Sequence, residues 1–233
     1  MAVATPDILQ ANFGARRGKS VSGPRKRDSD RAYEQLLEMT LDLRLAPGDV
    51  VNEKSLADQL GIGRMPIHEA VTRLAADRLA IIMPRRGTVI SPISLKGVVD
   101  MFEAREAIEC GVAYIAASRA ADGDLAQLAE LMHVADQARE AQHFEEYLKA
   151  DHAFHTFLVH MINNPLLQDA ADRLLLHNLR FWRLYFSERP VQHTTMLSHE
   201  KLHDAISSHN SEKAELAMRE HLMHSRGMIQ TLF

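Results

Sequence analysis

The sequence predicts a mainly α protein: an N-terminal winged helix-turn-helix followed by a C-terminal antiparallel bundle of six helices. Three observations carry that expectation. Between Ser29 and Ile93 the hydrophobic pattern runs helix, helix, helix, then two short strands about a basic turn. Beyond Ser94 the apolar residues recur with a helical period, broken only at turn residues, and no strand signal appears. The charge divides at the same place: residues 1–93 carry 14 Lys+Arg against 11 Asp+Glu, and the remainder 13 against 20. Histidine follows the acidic side, with only His68 of the 13 in the first part. A basic front and an acidic, histidine-rich back imply two domains with different partners.

The elements follow in order. Residues 1–28 are weakly hydrophobic, with Arg16, Arg17, Lys19, Arg25, Lys26 and Arg27 among Gly, Ser and Pro, and are expected to form a mobile basic tail. It serves either as a solubilising leader or as an arm that touches phosphates. From Ser29, Tyr33, Leu36, Leu37 and Leu41 line one helix face, with Asp28, Ser29 or Asp30 available as cap. "APGD", Ala46 to Asp49, forms a turn. "EKSLADQL" makes a short helix with Leu56, Ala57 and Leu60 on one side, and Gly61 breaks it. A third helix starts near Met65, striped by Ile67, Val71 and Leu74. Two strands, Leu79–Met83 and Thr88–Ile90, then flank a Pro-Arg-Arg-Gly tip. In the back half, six helices are expected at about 96–119, 124–141, 143–162, 165–187, 194–209 and 211–230. Asn164 before Pro165 supplies a cap and then proline at the first helical position. The domains expected are therefore the 1–28 tail, a 29–93 winged helix-turn-helix and a 94–233 helical domain.

Composition excludes other classes. A single cysteine, Cys110, permits no intrachain disulfide. No signal peptide opens the chain, and no segment approaches the roughly 20 uninterrupted apolar residues of a membrane span. A cytoplasmic protein without a membrane partner is expected.

Within the winged helix-turn-helix, the second helix of the motif enters the major groove, and its N-terminal residues meet base edges. Once Ile67, Val71 and Leu74 are assigned to the core, the outward set is Arg64, Met65, His68, Thr72 and Arg73. Arginine suits bidentate contact to guanine, or a phosphate. Arg85 and Arg86 at the wing tip, Gly87 beside them and Lys54 on the preceding helix suit the DNA backbone. The alternative is a three-helix cluster with solvated charges. "LRLAPGDVVNEKSLADQLGIGRMPIHEAVTRLAADRLAIIMPRRGTVI" resembles the N-terminal domain of the GntR family of bacterial transcription regulators: the PG turn, the Leu-Ala helix, a Gly-Val-Ser-Arg-x-Pro-Val-Arg-Glu-Ala-Leu stretch and a wing ending in Arg-Gly. The resemblance runs from Arg31 to Ile93 and implies DNA contacts from Lys54, Arg64, Met65, Pro66 and the wing near Arg86 and Gly87. Two positions depart from the pattern. Gly63 replaces the usual Ser or Thr, and His68 stands where the family has Arg. Neutral imidazole offers one donor and one acceptor, not a guanidinium fork.

In the helix at 143–162, Leu148, Asp151, His155, Leu158 and Ile162 share a face, so a carboxylate and an imidazole interrupt an apolar stripe. His199 shares a face with Leu202 and Ile206, and His221 with Ala214, Ala217, Met218 and Met228. Burying these groups unpaired is costly. A divalent cation would take them as ligands, and one oxygen with three nitrogens suits Zn, Ni, Co, Fe or Mn better than Ca or Mg. The alternatives are a plain Asp–His hydrogen bond and satisfied core histidines. His133, His143, His152, His160, His177, His193, His203, His209 and His224 are assigned to the surface or to supporting roles. "DHAFHTFLVHMINNPLL" and "HEKLHDAISSHNSEKAELAMREH" resemble the FCD ligand-binding domain of the FadR-like branch of that family: Asp-x-x-x-His, a turn ending in Asn-Pro, then two histidines about 22 residues apart. The resemblance implies a metal (Zn, Ni or Mn foremost) on Asp151, His155, His199 and His221, beside a small carboxylate effector.

Arg105 lies on an apolar stripe with Val98, Met101, Ile108 and Val112, and reads either as a buried ion pair or as a fork for an organic acid. Arg105 and Asn164 are the effector-side candidates; Arg180 and Arg183 are weaker ones. The resulting expectation is a ligand-responsive DNA-binding regulator, foremost a repressor, acting as a homodimer on a pseudo-palindromic operator. The competing classes are a helical metalloenzyme and a structural metal bundle that senses nothing. Against the enzyme, the chain has no HExxH helix and no Gly-rich phosphate loop.

Overall fold

The computed structural model describes residues 27–187 and 197–229. Nearly all of the expected tail lies outside that range, as do His193 and the expected helix start at 194. The contacts divide the chain into two compact units that meet between Ser94 and Leu95.

The first unit is a winged helix-turn-helix. It comprises α1 (Asp28–Leu41), β1 (Val50–Val51), α2 (Glu53–Leu60), α3 (Arg64–Ala76), β2 (Ala80–Met83) and β3 (Gly87–Ile90). The strands form one antiparallel sheet in the order β1-β3-β2, with Val51 opposite Thr88 and Ile81 opposite Val89. Leu36, Ile67, Leu74, Leu79 and Ile90 are fully buried between the helices and the sheet. Each such side chain contributes about 1.5–3 kcal/mol relative to exposure.

Caps and turns set the angles. Asn52 Oδ1 accepts the Ser55 N–H and starts α2. Gly61 ends it at φ +63°, a left-handed C-cap that glycine adopts without strain, and Ile62 then plugs the turn. At the wing tip Arg85 and Gly87 also take positive φ, +65° and +87°.

Three expectations change. The α1 N-cap is Arg27, without a side-chain bond, and Asp28 and Asp30 lie inside the first turn, where they complement the helix dipole. β1 was not expected, because two residues are too short to show a period. Arg73 is exposed on the outer side of α3, as expected, but it is not free: its guanidinium bonds Asp30 at 2.9 Å and stacks 3.9 Å over the Tyr33 ring, while Tyr33 donates to Asp77. It clamps α3 to α1.

The second unit contains α4 (Leu95–Arg119), α5 (Asp122–Glu140), α6 (Phe144–Met161), α7 (Pro165–Ser187), α8 (Glu200–Ser207) and α9 (Ser211–Ile229). α4 packs against α6, α7, α8 and α9, which explains why it is buried on several sides. Ala113, Ala116 and Ala117 are fully buried along α4. Their small side chains keep α9 close. Phe154, Leu158, Leu175, Ile206 and Met218 complete the core. α8 begins at Glu200, not at 194, so His199 is its N-cap residue (φ −99°, ψ 9°) and not a member of a helix face.

Candidate metal centre and nucleic-acid interface

Asp151 and His155 lie one turn apart on α6, both buried with Leu148, Leu158 and Ile162. His199 comes from the residue before α8, and His221 from α9, where it is partly exposed. The fold brings these four together. His199 Nε2 lies 3.3 Å from His155 Nε2 and 3.2 Å from Asp151 Oδ1. His155 Nε2 is 3.9 Å from the same oxygen. One donor atom from each residue falls within 4.8 Å of the others, and the His221 ring packs 4.6 Å from that of His199.

The spacing fits a shared ion. Bonds of about 2.0–2.1 Å in a tetrahedral arrangement separate ligand atoms by about 3.3 Å. The electrostatics fit as well. Burial works to raise the Asp151 carboxyl, but the His199 hydrogen bond and the His155 and His221 imidazoles hold it far below the usual range, so it is ionised. Burial lowers His199 and pushes His221 well down, which keeps their lone pairs available.

Around the donors lie Glu109 and Tyr147, which the sequence pattern did not assign, and Arg105, which it did. Glu109 on α4 is 2% exposed, and its Oε2 sits 2.7 Å from His155 Nδ1. A carboxylate there keeps the proton on Nδ1 and leaves Nε2 to face the cluster. Burial alone would raise Glu109, but the Arg105 guanidinium and His155 bring it down to about 2. Arg105, also 2% exposed, donates from Nε and NH2 to Glu109 and from NH1 to Asn178 Oδ1 at 2.7 Å. Arg105 is thus a buried ion-paired residue, joined to His155 through one shared carboxylate. With the imidazoles neutral, Arg105, Glu109 and Asp151 leave two negative charges against one positive, which favours a cation.

Tyr147 does a different job. Its hydroxyl donates to Leu197 O at 3.1 Å and accepts the Leu197 N–H at 2.9 Å, tethering the segment that carries His199. The signal for Glu109 was present, since Arg105 and Glu109 stand at i, i+4 on one face. Tyr147 had no such signal.

Asn164 has a capping role: its Oδ1 accepts the N–H groups of Leu166 and Leu167 at the start of α7. Arg180 and Arg183 are buried on α7, and Arg183 pairs with Glu145 at 3.3 Å. Among the described residues, the other histidines stand outside the four-donor cluster; His160, for one, pairs with Asp172, and His209 Nδ1 contacts Ala117 O. A groove of about 730 Å³ lined by Glu106, Cys110, Tyr114 and Arg219 shares no residue with the cluster.

In the first unit, Lys54 is exposed near the start of α2, Arg64 opens α3, and Met65 is 67% exposed beside the half-buried Pro66. Arg85 and Arg86 occupy the exposed turn between β2 and β3, closed by Arg86 N–H to Met83 O, and Gly87 opens β3 opposite Met83. Lys54, Arg64, Arg85 and Arg86 have no carboxylate partner among the described residues. Gly63 leaves α3 without a side-chain cap. His68 is exposed and contacts Glu53 of α2, while the Thr72 hydroxyl is used by His68 O.

The comparisons agree with this architecture. Residues 28–90 match the family model of bacterial regulatory proteins, gntR family, and residues 100–224 match the FCD domain. The chain is 30% identical over 191 residues to a HTH-type transcriptional regulator in an unstable DNA locus of Streptomyces ambofaciens, covering 82% of this chain and 80% of that protein. It is 27% identical over 194 residues to the HTH-type transcriptional repressor RspR of Escherichia coli (strain K12), covering 83% and 85%. Among solved structures, E. coli McbR/YncC shares the fold with a TM-score of 0.78 at 19% identity, over 89% of this chain and 99% of that one.

Proposed function

Because the chain belongs to the gntR family of bacterial regulatory proteins, as a DNA-binding transcription regulator with an FCD domain, we propose that it is a ligand-responsive repressor. In this reading it binds a pseudo-palindromic operator as a homodimer, and its bundle holds a divalent transition metal and a small organic acid. The observation that carries the sensing half is the four-donor cluster with Arg105 one carboxylate away. The repressor sign is supported by the similarity to a protein named as a repressor.

Asp151, His155, His199 and His221 are the residues that would hold the metal, with Zn, Ni or Mn suited to one oxygen and three nitrogens. When bound, it would supply a Lewis-acid anchor for a carboxylate. The protein's own groups do the rest. Glu109 orients His155, Tyr147 fixes the chain leading to His199, and Arg105 offers a charged fork whose present partner, Glu109, an incoming carboxylate would displace in part. Such an acid changes DNA affinity only by its differential binding to two states of the protein.

The enzyme reading is set aside, since the relatives are transcription regulators. The test is elemental analysis and calorimetric titration with small carboxylates on wild type and His199→Ala, together with anisotropy of the protein's own promoter duplex. Loss of metal and of carboxylate binding in the variant is expected. Full retention of both would remove the site. Metal binding without any carboxylate response would favour a structural bundle.

A further inference from the structure

We propose that His68, locked in one tautomer by Glu53, reads an exocyclic amine in the major groove, so that the operator carries adenine or cytosine on the strand facing residue 68. This goes beyond the sensing reading and does not depend on it.

The outward face of α3 is smaller than its sequence suggests. Arg73 is tied to Asp30 and Tyr33 of α1, and the Thr72 hydroxyl bonds within the helix. That leaves Arg64, Met65 and His68 as the side chains near the start of α3 able to reach a base edge. Of these, only His68 has a polar partner fixing its orientation. Its Nδ1 lies 3.1 Å and 3.2 Å from the two carboxylate oxygens of Glu53, on the other helix of the motif, and its side chain stays 58% exposed.

The chemistry follows from the partner. An ionised carboxylate only accepts, so Nδ1 carries the proton, and the neutral ring has a bare acceptor at Nε2. The two ring nitrogens point in divergent directions, so Nε2 is turned away from the Glu53 carboxylate that holds Nδ1. In the major groove adenine N6 and cytosine N4 are the amine donors, whereas guanine and thymine offer acceptors that would oppose a second acceptor. An arginine at this position would be donor-only and would suit guanine. One substitution plus one carboxylate thus inverts the hydrogen-bond polarity of a reading position.

The test is selection from a randomised duplex library near pH 8, above the ordinary histidine range, using the full chain as wild type, His68→Arg, His68→Ala and Glu53→Gln. Wild type should enrich A or C at one symmetry-related pair of positions. His68→Arg should convert that pair to G on the same strand and leave the rest of the site alone. Glu53→Gln should loosen only that pair, because an amide can donate to Nδ1 and admit the other tautomer. His68→Ala should lose the preference and weaken binding about 5- to 150-fold, with an unchanged salt slope. The proposal is overturned if His68→Arg changes no position, or if wild type already enriches G or T where that variant selects G. A Glu53→Gln site identical to wild type overturns the tautomer lock. A pool enriched in nothing would remove sequence reading by the first unit altogether.

Discussion

The two units handle cations in opposite ways. In the winged helix-turn-helix, Lys54, Arg64, Arg85 and Arg86 stand exposed, with no carboxylate partner among the described residues. In the bundle, Arg105 is 2% exposed and held by Glu109 and Asn178. The first arrangement leaves charge available to a polyanion that arrives with its own counterions. The second keeps charge in balance out of water, where any change of partner is felt by the whole core. A surface that meets DNA and a packed helical interior need these opposite solutions, and one chain contains both.

The largest test of that contrast is Glu109→Leu. Removing one member of a buried pair strands Arg105, and unfolding of the chain in urea should show a loss of about 3–5 kcal/mol. The double variant Arg105→Met/Glu109→Leu should recover most of it. A single-variant loss within experimental scatter would mean that the bundle interior is wetter than its burial implies.

Next in size is Tyr147→Phe. It removes both bonds to Leu197 and should cost about 1–3 kcal/mol, with weaker metal uptake by competition with a chelator. Unchanged uptake would separate the tether from the donor set. Arg86→Ala should behave in the opposite sense. Stability should stay within about 0.5 kcal/mol, while the slope of log affinity against log salt should fall by about 1.

The smallest effect concerns pH. His160 is exposed, and its hydrogen bond to Asp172 raises it above the ordinary value. A histidine raised in the folded state stabilises fully below its unfolded value, near 6.5, and the contribution is lost as pH rises through the raised folded value. His160→Gln should flatten that part of the stability profile by about 0.2–1 kcal/mol, a surface-pair magnitude. A profile that steepens in the other direction would contradict the pairing.

Much of this was legible in the sequence where side chains repeat along one element. Leu148, Asp151, His155 and Leu158 on α6, and Ile162 at its C-cap, are all buried, as their spacing indicates. What spacing does not report is pairing between elements. Arg73 sits at an outward position of α3, yet Asp30 and Tyr33 of α1 claim it. The hydroxyl of Tyr147 finds Leu197, fifty residues on. β1 exists because β3 offers it a ladder, not because Val50 and Val51 announce a strand. His199 joins the cluster from a non-helical residue, so a helix-face argument reached it on the wrong backbone.

The wing tip has an evolutionary corollary. Arg85 adopts a left-handed φ of +65°, which suits glycine and costs an L side chain about 1–2 kcal/mol. Glycine at 85 would therefore make the isolated fold more stable and the tip less cationic. A search for thermostable variants would tend to find that substitution, and would give up one positive charge at the tip to obtain it.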